Sequence, residues 1–390
     1  MTTLRTTLQA ALCGVVMGAA CQNDDGNGPP LQPTERVIAI VPVPSNYGIH
    51  DTFVRDGLVF ACLWNTGVVI YDVGNGAVGG TPANPLPIDT VRTGDNGVPG
   101  GRQSHNVWWF HNPVTSERRY LFVGQEGPGR IGGEASGDIH VMDVSDLTNP
   151  TQVGSYRMAG AGTHNFWMDE AGQVLYAAYY NGGVVALDVS GTLSGDLAGR
   201  ELARVQPGGS SATYTWGVQL GSNGFVYAAD MVSGVWQLQH SGTSLTAVGG
   251  GNNVPDRLTS DLWVHGDHVY TGTWGSRGGN VGNTVKIWQL DAGGAPRLVD
   301  SIVVSGISTV SDIQVSDDGA LLVFSAEGGP SHGLHVYDLT DPEQPAFLWQ
   351  SAAMSLHTAT IADMNGRRYV FAAKNPGNPA MVVFDITDLP

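Results

Sequence analysis

Seven dipeptides recur along the chain, each opening a short apolar segment: His50-Asp51, His105-Asn106, His164-Asn165, Trp216-Gly217, Ser260-Asp261, Ser311-Asp312 and His357-Thr358. The first position is histidine in four copies, and the second is Asp or Asn in five. Neutral imidazole nitrogens are good donors to divalent transition metals such as Fe, Cu or Zn, so His50, His105, His164 and His357 would make a metal centre if the fold brings them to one point. The same residues would also serve as hydrogen-bonding groups between neighbouring segments, or as the lining of a wet channel. A second-position Asp or Asn fits a repeated structural hydrogen bond. The other seven histidines are scattered, with His140 and His335 alternating along strands and His111, His240, His265, His268 and His332 at or near loops. Further chemistry is scarce. No Gly-rich phosphate loop opens a helix, no cysteine pair has metal spacing and no nucleophile elbow occurs. Asp24 to Gly28 lacks the distal Glu of a calcium loop. Cys62 lies in the apolar run Leu58-Val-Phe-Ala-Cys-Leu63 and reads as a buried core residue.

What must position the dipeptides is a repeat. An alternating strand follows each of them: Gly67-Val-Val-Ile-Tyr-Asp72, Asp138-Ile-His-Val-Met-Asp143, Gly183-Val-Val-Ala-Leu-Asp188, Gly234-Val-Trp-Gln-Leu-Gln239, Thr284-Val-Lys-Ile-Trp-Gln289, Gly333-Leu-His-Val-Tyr-Asp338 and Ala380-Met-Val-Val-Phe-Asp385. The blade-ending Asp residues fit turn caps that accept bonds from nearby backbone N–H groups. Asp51 and Thr358 are 307 positions apart over six intervals, a period of about 51 residues. A unit of that size with several short strands cannot bury both faces alone, so copies must stack. Radial stacking protects strand edges that an open array would leave exposed. The expected fold is therefore all-β: a seven-bladed propeller of four-stranded blades. The last repeat ends before its outer strand, whereas Arg36-Val-Ile-Ala-Ile-Val41 precedes the first repeat and matches the outer strand Arg297-Leu-Val-Asp-Ser-Ile302. The N-terminal strand is thus expected to complete blade seven and close the ring.

In a closed ring the histidines of blades seven, one, two and three are consecutive around the channel mouth. Loops after the second strands are long in three blades, over 127–137, 275–282 and 328–333. Trp64, Glu126, Tyr179, Tyr180, Asp230, Trp274, Glu327 and Lys374 stand at such loop entrances, a mixture that suits a small polar ligand, a glycan or a surface protein. Each of these aromatics would equally serve blade-to-blade packing. Glu126 or Glu327 is placed to accept a hydrogen bond from a metal-bound imidazole. Trp108, Trp109 and Trp167 read as core or channel lining.

Composition agrees with a turn-dense β protein: 55 Gly, 21 Pro, 42% hydrophobic residues and only 14% charged ones. With 18 basic against 35 acidic residues, the net charge of −17 excludes a nucleic-acid role. Residues 1–20 carry one cation, Arg5, and an apolar run from Ala10 to Ala20, too short to span a bilayer and suited to a signal peptide. Gly18-Ala19-Ala20-Cys21 resembles a bacterial lipobox with Gly18 where Leu is preferred, which makes Cys21 the expected acylation site and residues 21–33 a polar tether. The organisation expected is a signal peptide (1–20), a lipidated tether (21–33) and a propeller (34–390).

The repeat units, among them Tyr227-Ala-Ala-Asp230, Gly183-Val-Val-Ala-Leu-Asp188, Asp143-Val-Ser-Asp-Leu-Thr-Asn-Pro150 and Asp338-Leu-Thr-Asp-Pro342, resemble the LVIVD-repeat family of bacterial and archaeal surface proteins over residues 34–390. That resemblance implies a cell-surface or outer-membrane lipoprotein that acts as a binding module and meets the membrane only through its lipid. The four histidines leave a second expectation open, a metal-dependent, oxidoreductase-like enzyme. In arrangement, though not in sequence motif, they are similar to the iron-binding histidines of carotenoid-cleaving oxygenases. The anchor is directly testable: Cys21→Ser should move the protein from the membrane fraction to the soluble periplasm or medium. An unchanged partition on fractionation would remove the lipid anchor.

Overall fold

Val, Ile, Ala and aromatic residues crowd the second and third strands of each repeat, and these strands are covered on both faces. Leu58–Cys62 and Val68–Asp72 are buried at every position. Such strands need a neighbour on each side, which a ring of blades provides. The computed structural model describes residues 36–43, 48–94, 103–252, 257–275, 281–291, 294–375 and 377–389. The leader, Cys21 and the tether lie outside the described residues.

Seven antiparallel sheets are arranged as blades, running from the innermost strand outward. Blade 1 spans residues 51–91, blade 2 spans 104–156, blade 3 spans 166–205, blade 4 spans 215–250, blade 5 spans 258–303 and blade 6 spans 309–351. Blade 7 takes three strands from 356–385 and its outermost from Val37–Pro42, which pairs antiparallel with Ala380–Asp385. The expected closure is therefore present. Asp385 N–H donates to Arg36 O at 2.8 Å, and an Arg36–Asp388 ion pair sits beside the latch. The core is divided among the seven interfaces between blades. Phe60, Val107, Trp109 and Leu121 pack in one interface, for example, and Tyr227, Leu262, Val264 and Trp288 in another.

The five blade-ending Asp residues all cap turns. Asp143, Asp188, Asp338 and Asp385 accept backbone N–H bonds from Ser145, Ser190, Thr340 and Thr387 at 2.7–3.1 Å. Asp72, fully buried, accepts six, from Gly74, Asn75, Gly76, Val78, Gly79 and Gly80. Burial works to raise its pKa, but those donors hold the carboxyl well below the ordinary carboxylate range. One feature departs from the regular repeat. An insertion in blade 3 lays Gly195–Asp196 parallel to Thr151–Tyr156, giving blade 2 a fifth strand and tying the two blades together.

Removing the latch exposes the edge of blade 7 and leaves its junction with blade 1 to side-chain contacts. Deletion of Val37–Pro42 should cost more than about 4 kcal/mol in chemical denaturation, above the usual single-substitution range. A deletion variant with the parent's midpoint would show that this strand does not hold the ring.

Candidate metal centre at the channel mouth

The first residue of each dipeptide sits where the innermost strand carries an extra residue. Pairing skips His105 in blade 2, Trp216 in blade 4 and His357 in blade 7. In blades 5 and 6 one residue is inserted within Thr259–Leu262 and Val310–Ile313. Blades 1 and 3 match: Cys62 O accepts from His50 N–H and Cys62 pairs with Asp51, while Ala178 accepts from His164 N–H and donates to Asn165 O. A bulge of this kind re-aims a side chain and ends regular pairing. Repeated around the axis, it turns the first-position side chains toward the channel mouth.

There the rings form a closed circle. Ring centroids step from His50 to His105 (5.1 Å), His164 (4.2 Å), Trp216 (3.9 Å), Trp274 (4.9 Å), His357 (6.3 Å) and back to His50 (4.7 Å). The small Ser260 and Ser311 of blades 5 and 6 donate to Val310 O and Glu327. Two groups of side chains have ligand atoms within 4.8 Å of one another: His50, His105 and His357, and His105, Glu126 and His164. Among the described residues these are the convergent sets, and they share His105.

Hydrogen bonds orient the imidazoles. His164 Nδ1 meets Trp216 O at 2.8 Å, and His357 Nδ1 meets Glu327 Oε1 at 2.8 Å. With Nδ1 donating in both, Nε2 is the nitrogen presented to the centre. His164 Nε2 and His105 Nδ1 are buried without a hydrogen-bond partner. Glu126 Oε2 lies 3.6 Å from His105 Nε2, and Glu126 accepts from the Tyr180 hydroxyl. Burial, then the neighbouring imidazoles His164 and His357, hold His105 well below the ordinary histidine pKa. Burial likewise dominates at His164 and lowers it. At His357 burial also pulls downward, but Glu327, Glu126 and Asp312 carry the pKa above its ordinary value. Two neutral imidazoles therefore stand beside one that favours its proton.

The structure sorts the residues expected at the loop entrances. Trp64 stacks on His50 at 4.2 Å, Trp274 joins the circle, Glu126 faces His105 and Glu327 holds His357. Tyr179, Asp230 and Lys374 are turned to structural work. The Tyr179 hydroxyl donates to Gly137 O from full burial. Asp230 accepts from Tyr214, Thr215, Val232 and Ser233. Lys374 Nζ ties the carbonyls of Gly377 and Asn378. Of the adjacent tyrosines it is Tyr180 that reaches the centre, its ring 5.3 Å from His164. Trp64 and Tyr180 both hold left-handed backbone, φ 44° and 41°, which is costly for aromatic residues and swings their rings over the histidines.

Below the circle, the second-position residues link blades. Asn106 Nδ2 donates to Asp51 Oδ2 (2.7 Å), and Asn165 Nδ2 donates to Asp261 Oδ2 (2.8 Å), reaching past Gly217 of blade 4. Asp312, whose charge adds to burial in raising the pKa of Asp261, accepts from Ala359 N–H at 2.8 Å. Burial first, then the charge of Asp312, pushes Asp51 up to about 7, and burial raises Asp261 and Asp312 as well.

No family model and no curated protein matches the sequence. Among solved structures, the β-propeller domain of Cps50 (Swd1) from Myceliophteria thermophila superposes with a TM-score of 0.62 at 9% identity, over 90% of this chain and 99% of that one. At that identity the likeness establishes the propeller fold and carries no activity with it.

Gly217 is the one glycine among the seven second positions, and a Cβ there would run into Asp261 Oδ1. Gly217→Ala should cost about 1–3 kcal/mol through displacement of the Asn165–Asp261 link. A denaturation midpoint equal to the parent's would mean that the link contributes nothing.

Proposed function

We propose that this chain is an exported, lipid-anchored binding module of the LVIVD-repeat kind that holds a divalent transition metal ion at the mouth of its channel. One observation carries the reading: four histidines from consecutive blades, with Glu126, place ligand atoms within 4.8 Å of one another in two groups joined at His105. Supporting it, His164 and His357 have their outer nitrogens engaged by a carbonyl and a carboxylate, as metal-bound histidines do. Burial keeps His105 and His164 in the neutral form that binds metal. At His357 an ion competes with a proton, so loading releases it.

The donor set is imidazole and carboxylate with no thiolate, which suits Zn, Cu or Fe. Neither group is a closed four-ligand shell, and an open position is the mark of a site that takes a further ligand. That openness also favours the second reading, a metal-dependent oxidoreductase at the same centre.

Elemental analysis after loading with Zn2+, Cu2+ or Fe2+ and gel filtration tests the reading. The parent should retain stoichiometric metal, His105→Ala should lose it, and Glu327→Gln should weaken affinity about 10–100-fold. Absence of retained metal for all three ions, or equal retention by His105→Ala, would overturn it.

A further inference from the structure

Under the circle of rings lies an axial cavity of about 270 Å³, whose roof includes His105, His164, Trp216 and His357. Its wall is chemically one-sided. Asp51, Asp261 and Asp312 line it, and no lysine or arginine does. Phe53, Trp108, Trp167 and Trp263 form a contiguous aromatic band on the same wall, with centroids 5.2, 5.3 and 5.8 Å apart. Successive rings in the band are turned by 49–81°, so faces and edges alternate around the wall. These four side chains are only partly buried although they sit on the innermost strands, because what remains accessible faces the cavity. Asn106, 9% exposed, also lines it and keeps its Oδ1 buried without a hydrogen-bond partner. Asp317, exposed at the turn after the innermost strand of blade 6, lines the cavity too and marks where it reaches the surface.

Three acids with only His357 of the roof as a basic neighbour that favours its proton, an unused amide oxygen and a band of indoles are on balance complementary to positive charge. An inorganic ion does not fit them. Calcium takes six to eight oxygens at about 2.3–2.6 Å, which demands close convergence. Asp51, Asp261 and Asp312 are not among the groups whose ligand atoms lie within 4.8 Å of one another. An alkylated ammonium needs no inner ligands. It is held by ring faces and by diffuse attraction to carboxylates. The volume lies just under the roughly 300–1,000 Å³ of pockets for larger ligands, which limits the occupant to a small molecule.

We propose that the axial cavity binds a small organic cation, an alkylated or quaternary ammonium, between the band Phe53–Trp108–Trp167–Trp263 and the carboxylates Asp51, Asp261 and Asp312. The cavity shares its roof with the histidines of the metal reading but does not rest on that reading, and its test uses chelator-treated full-length protein so that the two can fail independently.

Choline and tetramethylammonium are titrated by calorimetry and tryptophan fluorescence, beside 3,3-dimethylbutan-1-ol, the uncharged isostere of choline, and CaCl2. Saturable binding of both ammonium probes is expected with Kd of about 1 mM or tighter, and at least about tenfold weaker binding of the alcohol. Trp167→Leu and Asp261→Asn should each weaken choline at least about tenfold. The Asp261 variant keeps side-chain size and the ability to hydrogen-bond, so it reports even if Trp167→Leu fails to fold. Equal affinity for the alcohol, tighter binding of Ca2+ than of choline, no saturation by either ammonium probe, or undiminished binding in Asp261→Asn would each overturn the proposal.

Discussion

Everything at the axis depends on the antiparallel pairing of Val37–Pro42 with Ala380–Asp385. The innermost strands converge only because the ring is closed, and the ring is closed only because the two ends of the chain share one blade. His357 of blade 7 stands 4.7 Å from His50 of blade 1 across this junction. Beside it, Thr52 and Thr360 are joined by hydrogen bonds. A break at the junction would separate the histidines that the circle sets side by side. Closure thus sustains both the hydrophobic interfaces and the constellation at the mouth.

The mouth illustrates how a repeat yields asymmetry. The same bulge recurs, but its occupant changes from imidazole to indole to hydroxymethyl around the ring. Small Ser260 and Ser311 leave room that Trp274 and Glu327 occupy from the ends of the second strands. One arc therefore gathers imidazoles and the opposite arc gathers indoles and a carboxylate. Glycine acts similarly one tier down, where Gly217 lets Asp261 reach Asn165 across an intervening blade. Variation in side-chain size at equivalent positions, on an unchanged backbone device, distributes the chemistry.

The two tiers also divide charge. Above, burial keeps His105 and His164 neutral, while Glu327 draws His357 toward its protonated form. Below, burial raises Asp51, Asp261 and Asp312, the charge of Asp312 adds to the rise at Asp51 and Asp261, and hydrogen bonds from Asn106, Asn165 and the backbone limit it. A channel with donor nitrogens at one level and acids at the next is polar at both tiers, yet it is walled by Phe53, Trp108, Trp167 and Trp263.

Much of this was legible in the amino-acid order, because β-strand periodicity and burial are local and the repeat states them seven times. Blade number, the N-terminal latch, the Asp turn caps and the equivalence of His50, His105, His164 and His357 follow from spacing alone. So does the placing of Glu327 near a histidine. Other features depended on side-chain direction, which spacing does not carry. Tyr179 and Tyr180 are adjacent in an aromatic pair, and only the left-handed backbone at Tyr180 decides which ring reaches the centre. Asp230 and Lys374 stand at loop entrances by position, yet the nearest donors and acceptors are backbone groups that consume them. The strand inserted as Gly195–Asp196, the bulges that aim the histidines and the cavity between three carboxylates and an aromatic band arise from pairing and packing between separate strands. A sequence determines which residues face a common axis; how closely their atoms meet there is decided by packing across the ring.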